Sequence, residues 1–324
     1  MRLFSSLVIV VGLWAWTVPV SAESIVERVK ERGVLYCGGV ARPGLAEQSG
    51  GAGWHGLEID IGRAIAAAVL DSPNKVEFHS YATETDFAEG ATSDDVLFLT
   101  GSEISDHHLA GLIVPGPPVF VESQGVMVPG DSNVQTLKDL GNRTVCFLIG
   151  SPSERGLNAF CDRTGCAVFR RPFSEDGEMV DAYAAQNCHA IVGEITDLAA
   201  IRDEEELRHL ASRILPETLA DFPVIAATGT ADAKWSSLVA WTVYTLISGE
   251  RQESRWYAGG ASAMPVDAPE LGLPEGWQKV VLKAVGNYGD IFRRNVGAGS
   301  SLNLERSIHG NRIEPGFLLS PYVD

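Results

Sequence analysis

A short apolar run, a helical pattern and then another apolar run: this alternation recurs from Val34 to Gly229 and leaves few folds open. "VLYCGGV" reads as a strand, preceded by the amphipathic "SIVERVKERG", with Ile25, Val26 and Val29 inward and a glycine stop at Gly33. "LEIDIGRAIAAAVL" follows with Ile61, Ile65, Ala68 and Val69 on one helical face, and "KVEFHSYA" alternates as a strand does. "DDVLFLTG", "ESQGVMVPG", "RTVCFLIG", "CAVFRRP", "CHAIVGE" and "FPVIAATG" are further short apolar runs. Between several of them lie helical stretches, "PSERGLNAFCDR", "EDGEMVDAYAAQ" and "TDLAAIRDEEELRHLAS". Strand, helix, strand is the grammar of a parallel sheet, so the fold class is α/β. No repeat with a period of roughly 20 to 50 residues interrupts it.

The first residues, "MRLFSSLVIVVGLWAWTVPVSAES", carry a single cation at Arg2, an apolar core from Leu7 to Trp16, and small residues Val20 and Ala22 spaced for cleavage. A transmembrane helix is the competing reading, but Thr17, Pro19 and Ser21 at its end and the processing site favour a secretory signal over residues 1–22. Cleavage there leaves 302 of 324 residues and, with Arg2 gone, moves the formal charge from -17 to -18. Such an acidic chain without a basic tract is a poor match to nucleic acid or anionic lipid. No later segment reaches the roughly 20 apolar residues of a membrane span. The expectation is a soluble, exported protein of two domains. Its five cysteines, Cys37, Cys146, Cys161, Cys166 and Cys188, allow at most two internal bridges. Cys161 and Cys166 are close enough in sequence to close a short loop; Cys146 reaches Cys188 if their strands are neighbours, and buried free thiols are the alternative for that pair. None of the spacings is a zinc signature.

The densest cluster of reactive side chains is "LFLTGSEISDHHL", Leu97 to Leu109. Adjacent His107 and His108 invite a metal reading, but neighbours in sequence on a helix start do not share a face, and further ligands such as Asp106 or His79 have to come from elsewhere. A general base needs a substrate proton within hydrogen-bond reach, which spacing does not supply. "GSPSE" lacks the G-x-S-x-G spacing of a nucleophile elbow. No catalytic set, metal or cofactor is therefore expected. Trp54, ahead of the first long helix, is placed either to stack on a ligand or to pack against the sheet.

Three stretches, "VKERGVLYCGGV", "GLEIDIGRAIAAAVL" and "VGNYGDIFRRNVGAGSSLNLERSIHG", resemble the periplasmic solute-binding proteins of polar amino-acid ABC importers, most of all the general L-amino-acid-binding branch. "TVCFLIGSPSE" and "AYAAQNCHAIVGEITDLAA" extend the likeness over nearly the whole mature chain. The resemblance implies a type II periplasmic binding protein fold, two small α/β lobes joined by two crossing hinge strands, with ligand in the cleft. Lobe one is expected over 23–126 and 224–324, and lobe two over 127–223. The implied partners are a small polar ligand, an amino acid or a cationic analogue, and an inner-membrane ABC permease. An accessory or sensory protein on the same scaffold is the second reading, and a periplasmic dehydratase-like enzyme the third.

By the same resemblance, Thr100 and Ser102 match hydroxyl-bearing ligand contacts, Ser151 and Ser153 match those at the start of a lobe-two helix, and Glu194 matches the acid that takes the ligand's α-amino group. His107 stands where the family has an arginine for the α-carboxylate, and Pro152 has no amide proton to offer. An arginine presents a fixed charged fork, whereas a histidine near neutral pH is mostly uncharged. Charged hydrogen bonds contribute roughly 1.5 to 3 kcal/mol, so an uncompensated exchange costs about 10 to 100 fold in affinity. If Glu103, Asp106 and Glu194 all face the cleft, they favour a cationic ligand; solvated surface is the plainer role for the first two.

Overall fold

The computed structural model describes residues 24–51, 53–82, 84–101, 109, 111–230, 232–256 and 269–306. The signal segment, Ser102, Glu103, Asp106, His107 and His108 lie outside them. The chain begins with α1 (Ile25–Arg32), whose Ile25, Val26 and Val29 are buried, and Gly33 closes it in the left-handed conformation. Next come β1 (Leu35–Gly39), the small hairpin β2 (Glu47–Ser49) and β3 (Gly53–His55), α2 (Leu57–Leu70), β4 (Val76–Ser80), α3 (Glu84–Ser93) and β5 (Val96–Thr100). β1 lies between β4 and β5, parallel to both.

α2 is buried on almost every face because its alanines and Gly62 let it lie close to the sheet. A Cβ on Gly62 would stand 3.0 Å from the Cys37 Sγ. Asp60, buried on this helix, accepts hydrogen bonds from Arg63, Arg294 and Asn295, which ties the far end of the chain to its beginning.

After β6 (Ile113–Val114), the strand β7 (Pro118–Val128) is longer than its apolar pattern suggests, and leads through β8 (Thr144–Leu148), α4 (Pro152–Thr164), β9 (Phe169–Phe173), α5 (Asp176–Ala184) and β10 (Ala190–Glu194) to α6 (Ile195–Arg202). β11 (Arg213–Ile214) and β12 (Ala220–Gly229) then return the chain, and α7 (Ala233–Trp256), α8 (Trp277–Val285) and α9 (Tyr288–Asn295) complete it. The strand order is β4-β1-β5-β12-β7-β10-β8-β9, with β6 and β11 paired off this path.

β12 pairs antiparallel with β5 through Val224–Ala227 and with β7 along Ala220–Ile225, while β7 continues through Gln124–Met127 against β10. Two long antiparallel strands therefore link two parallel triplets, β4-β1-β5 and β10-β8-β9. The register shifts at Val224/Ile225, beside Pro223, which has no amide to give the ladder. One apolar cluster draws on residues between Ile25 and Phe120 and between Val224 and Leu304, together with Ile195 and Ala199 of α6, and another on Val126 to Leu219.

The helix expected over "TDLAAIRDEEELRHLAS" stops at Arg202, and a 3-10 turn at Arg208–Leu210 follows. Four consecutive acids, Asp203 to Glu206, would sit at the negative end of the helix dipole and repel one another. Both cysteine pairs are bridged, Cys161 to Cys166 and Cys146 to Cys188, the latter because β8 and β10 are parallel neighbours. Cys37 is a buried free thiol. No helix among the described residues is long and apolar enough to cross a membrane.

Candidate functional site

In a parallel sheet, the carboxyl ends of the strands lie along one edge, and in open α/β sheets ligands bind outside that edge. In the first triplet this edge carries the loop after β1, with Arg42, and Thr100 at the end of β5. In the second it carries Ser151 and Ser153 after β8, and Glu194 at the end of β10. The two edges face one another: Arg42 Nε lies 3.5 Å from Glu194 Oε2, and the Arg202 guanidinium donates to the Leu302 carbonyl at 3.0 Å.

Arg42 is held by its own backbone. Its N–H donates to the Ala46 carbonyl at 2.9 Å, and its carbonyl accepts from Leu45 and Ala46 in return. The loop turns through Gly44 at φ +70°, where an added Cβ would stand 2.8 Å from the Asn295 carbonyl oxygen. The first turn of α2 then pins it, Leu57 N–H on Gly44 O and Glu58 N–H on Leu45 O, both at 2.9 Å. A guanidinium 8% exposed is thus fixed at the mouth of β1, and it is the single buried Lys or Arg among the described residues.

Around this cation are acids. Glu122, on the hinge strand β7 and 1% exposed, accepts from the Thr196 hydroxyl at 2.8 Å. Burial first, and then Glu194 and Asp197, hold its carboxyl well above the usual range, against which Thr196 and Arg42 pull only in part. Asp197 is pushed up to about 7 by desolvation, then by Glu194 and Asp176. Asp197 itself keeps accessible surface at the start of α6. Among the described residues one buried cation thus neighbours several carboxyls, and Glu122 and Asp197 hold protons more tightly than free carboxylates do.

The start of α4 is differently occupied. Ser151 caps the helix, accepting from Glu154 N–H at 3.1 Å, and the Glu154 carboxylate in turn accepts from Gly150 N–H at 2.6 Å. The Glu154 carboxylate is thus engaged by the amide just ahead of the cap, and the proline at the first helical position has no amide to give. The Ser153 hydroxyl, 3% exposed, donates to the Gln124 side-chain oxygen on β7. Thr100 is 2% exposed on β5, opposite Val224. The Trp54 ring lies on Phe78, with centroids 4.8 Å apart, as a packing contact. Among the described residues no group of three or more His, Cys, Asp and Glu side chains is arranged to hold a metal ion.

Arg42, Glu122 and Asp197 were not among the residues that the sequence singled out. A signal existed for one of them: "ESQ" interrupts an otherwise apolar strand, and a charged residue there has to be buried with partners. Arg42 had none, because a cation in a glycine-rich loop is ordinarily solvated.

No protein-family model matches the chain. It is 26% identical to the glutamate/glutamine/aspartate/asparagine-binding protein BztA of Rhodobacter capsulatus over 330 aligned residues, covering 96% of each. It is 26% identical over 317 aligned residues to the general L-amino acid-binding periplasmic protein AapJ of Rhizobium johnstonii, covering 91% of each. Among solved structures, an ABC transporter periplasmic binding protein from Brucella ovis with glutathione bound superposes with a TM-score of 0.70 at 24% identity, over 88% of this chain and 94% of that one. The curated relatives are binding proteins matched from end to end, and the solved structure shows the type II periplasmic binding protein fold.

Proposed function

We infer that this chain, a homologue of periplasmic amino-acid-binding proteins, is the substrate-binding component of an ABC importer, exported to the periplasm, and captures an amino acid or a related small polar molecule between its lobes. The observation that carries the reading is the pairing of Arg42 with Glu194 across two facing strand edges joined by a two-strand hinge. Hinge closure can bury a small polar molecule, and polar groups converging from two lobes can grip both ends of it. Glu194 is the acid for the ligand's amino group. Thr100, Ser102 and Ser151 supply hydroxyls, Ser153 orients Gln124, Trp54 borders the loop, and His107 takes the place of a carboxylate-binding arginine. Residues 23–126 with 224–324 form one lobe and 127–223 the other. The inner-membrane permease is the partner.

Pro152 at the first position of α4, which removes an amide donor there, supports a second reading, an accessory or sensory protein with an altered ligand. A calorimetric panel of amino acids, amines and organic acids tests both readings. Micromolar binding of an L-amino acid is the outcome expected of an importer's receptor; silence across all amino acids sinks it, and binding of amines alone supports the second reading. Replacing His107 with Arg is expected to tighten carboxylate-bearing ligands by about 10 to 100 fold. An unchanged affinity removes His107 from the site.

A further inference from the structure

α6 has two buried sides. Leu198 packs into the cluster of Met127, Cys146 and Tyr183 in its own lobe, and Ile201 lies against the same cluster. Ile195 and Ala199 instead join the cluster that otherwise draws on lobe one. Spacings of four and then three residues put Ile195, Ala199 and Arg202 on one helical face. At the end of that face the Arg202 guanidinium donates to the Leu302 carbonyl, 100 residues further along the chain. We propose that this face of α6 and residues 297–306 form a latch outside the cleft, with Arg202 as its positioning residue, which holds the lobes together before a ligand arrives and sets part of the affinity for whatever the cleft binds. The inference rests on the two-lobe hinge and goes beyond the amino-acid-binding reading.

The receiving side of the latch is fixed to lobe one at both ends. The Gly297 and Gly299 N–H groups donate to the Phe292 and Arg293 carbonyls at 2.8 Å, and the Leu304 N–H donates to the Val296 carbonyl at 2.9 Å, so the segment folds back onto the end of α9. Leu302 is buried, and a Cβ on Gly44 would stand 2.6 Å from its Cδ1, which seats it against the loop after β1. Beyond it Arg306 pairs with Glu250, its guanidinium carbon 4.8 Å from the Tyr288 ring centre and 5.3 Å from that of Phe292. The donating side is held as well. The carboxylate of Asp203, next in the chain, accepts from the same guanidinium at 3.2 and 3.3 Å and steadies it at the helix end.

Donor and acceptor therefore sit on opposite lobes, each on anchored backbone, and the bond is made where the lobes meet and lost as they part. A hinge equilibrium shifts by the contact free energy that one form has and the other lacks. A single partly exposed hydrogen bond of this kind is expected to move the ratio of parted to meeting lobes by about 2 to 10 fold. A ligand that needs the lobes together inherits the same factor, because less of its own binding free energy goes into bringing them together.

The test is small-angle X-ray scattering on the ligand-free mature chain for wild type, Arg202→Ala and Arg202→Lys, with circular dichroism melts to confirm folding. Stopped-flow dissociation follows for L-glutamate, L-arginine and L-leucine, whichever of them wild type binds. Arg202→Ala is expected to have a larger radius of gyration than wild type, and Arg202→Lys, which keeps a donor for the Leu302 carbonyl, to return toward it. Dissociation from Arg202→Ala should be about 2 to 10 fold faster, with association unchanged. A role confined to stability would lower the melting temperature and leave the radius of gyration where it is. A radius in Arg202→Ala equal to or smaller than that of wild type overturns the latch, whatever the cleft binds. If wild type binds none of the three amino acids, that outcome counts against the amino-acid reading alone, and scattering still decides the latch.

Discussion

Ser153, expected from its motif to contact a ligand, is instead buried with its hydroxyl on the Gln124 side chain. Its hydroxyl is buried and committed to Gln124, so Ser153→Ala removes a partner from a buried amide, and urea unfolding is expected to show a loss of about 1 to 3 kcal/mol. Ser151→Ala is expected to cost about 1 kcal/mol through the lost helix cap. If Ser153→Ala unfolds at the same urea midpoint as wild type, the buried bond contributes nothing. At this scale the position of Glu194 at the end of a strand was legible, because an acid after a short apolar run marks where the run stops. It was illegible for Arg42, since burial of a loop cation depends on what packs over the loop, here α2 and the Asn295 carbonyl.

At the scale of elements, hydrophobic period located the helices and strands, because a buried face repeats every 3.6 or every 2 residues whatever it packs against. Its error over "TDLAAIRDEEELRHLAS" came from electrostatics: Leu207 and Leu210 are buried as a continuing helix would have them, yet the four intervening acids break it into a turn. The Cys146 to Cys188 bridge closes a sequence separation of 42 residues. For a loop of that length the chain-entropy estimate is about 4 kcal/mol, so replacing both cysteines with serine should lower the unfolding free energy by roughly that amount. A change below about 1 kcal/mol would mean that the reduced, unfolded chain already holds β8 near β10. Cys37 is expected to stay unreactive toward thiol reagents in the folded protein, because burial and neighbouring acids push its thiol well above the ordinary value.

For the whole molecule, Glu122 and Asp197 beside the Arg42–Glu194 pair contribute to the response to pH. Asp197 rises from 3.8 to about 7, and Glu122 shifts in the same direction, so the folded form binds protons that the unfolded chain would release. The stability tied to these groups is greatest below the ordinary carboxylate range and is lost as pH rises through the window from about 3.8 to about 7. The ligand-free melting temperature should fall across that window, and Asp197→Asn should flatten the fall. A slope identical in the variant would exclude Asp197 as its source. A ligand that brings an ammonium beside these carboxyls should expel protons, visible as a binding enthalpy that depends on the ionisation enthalpy of the buffer.

The sequence by itself determined the α/β class, the candidate cysteine pairs and the family resemblance, because each is written in local period, residue type or spacing. The tertiary structure alone decided that Arg42 meets Glu194, that the Glu154 carboxylate takes the Gly150 amide ahead of its helix, and that Ser153 faces inward to Gln124. Those facts turn on distance and burial between segments far apart in the chain. Coulomb energies and desolvation depend on where groups end up in space, and no local pattern in a single sequence carries that information.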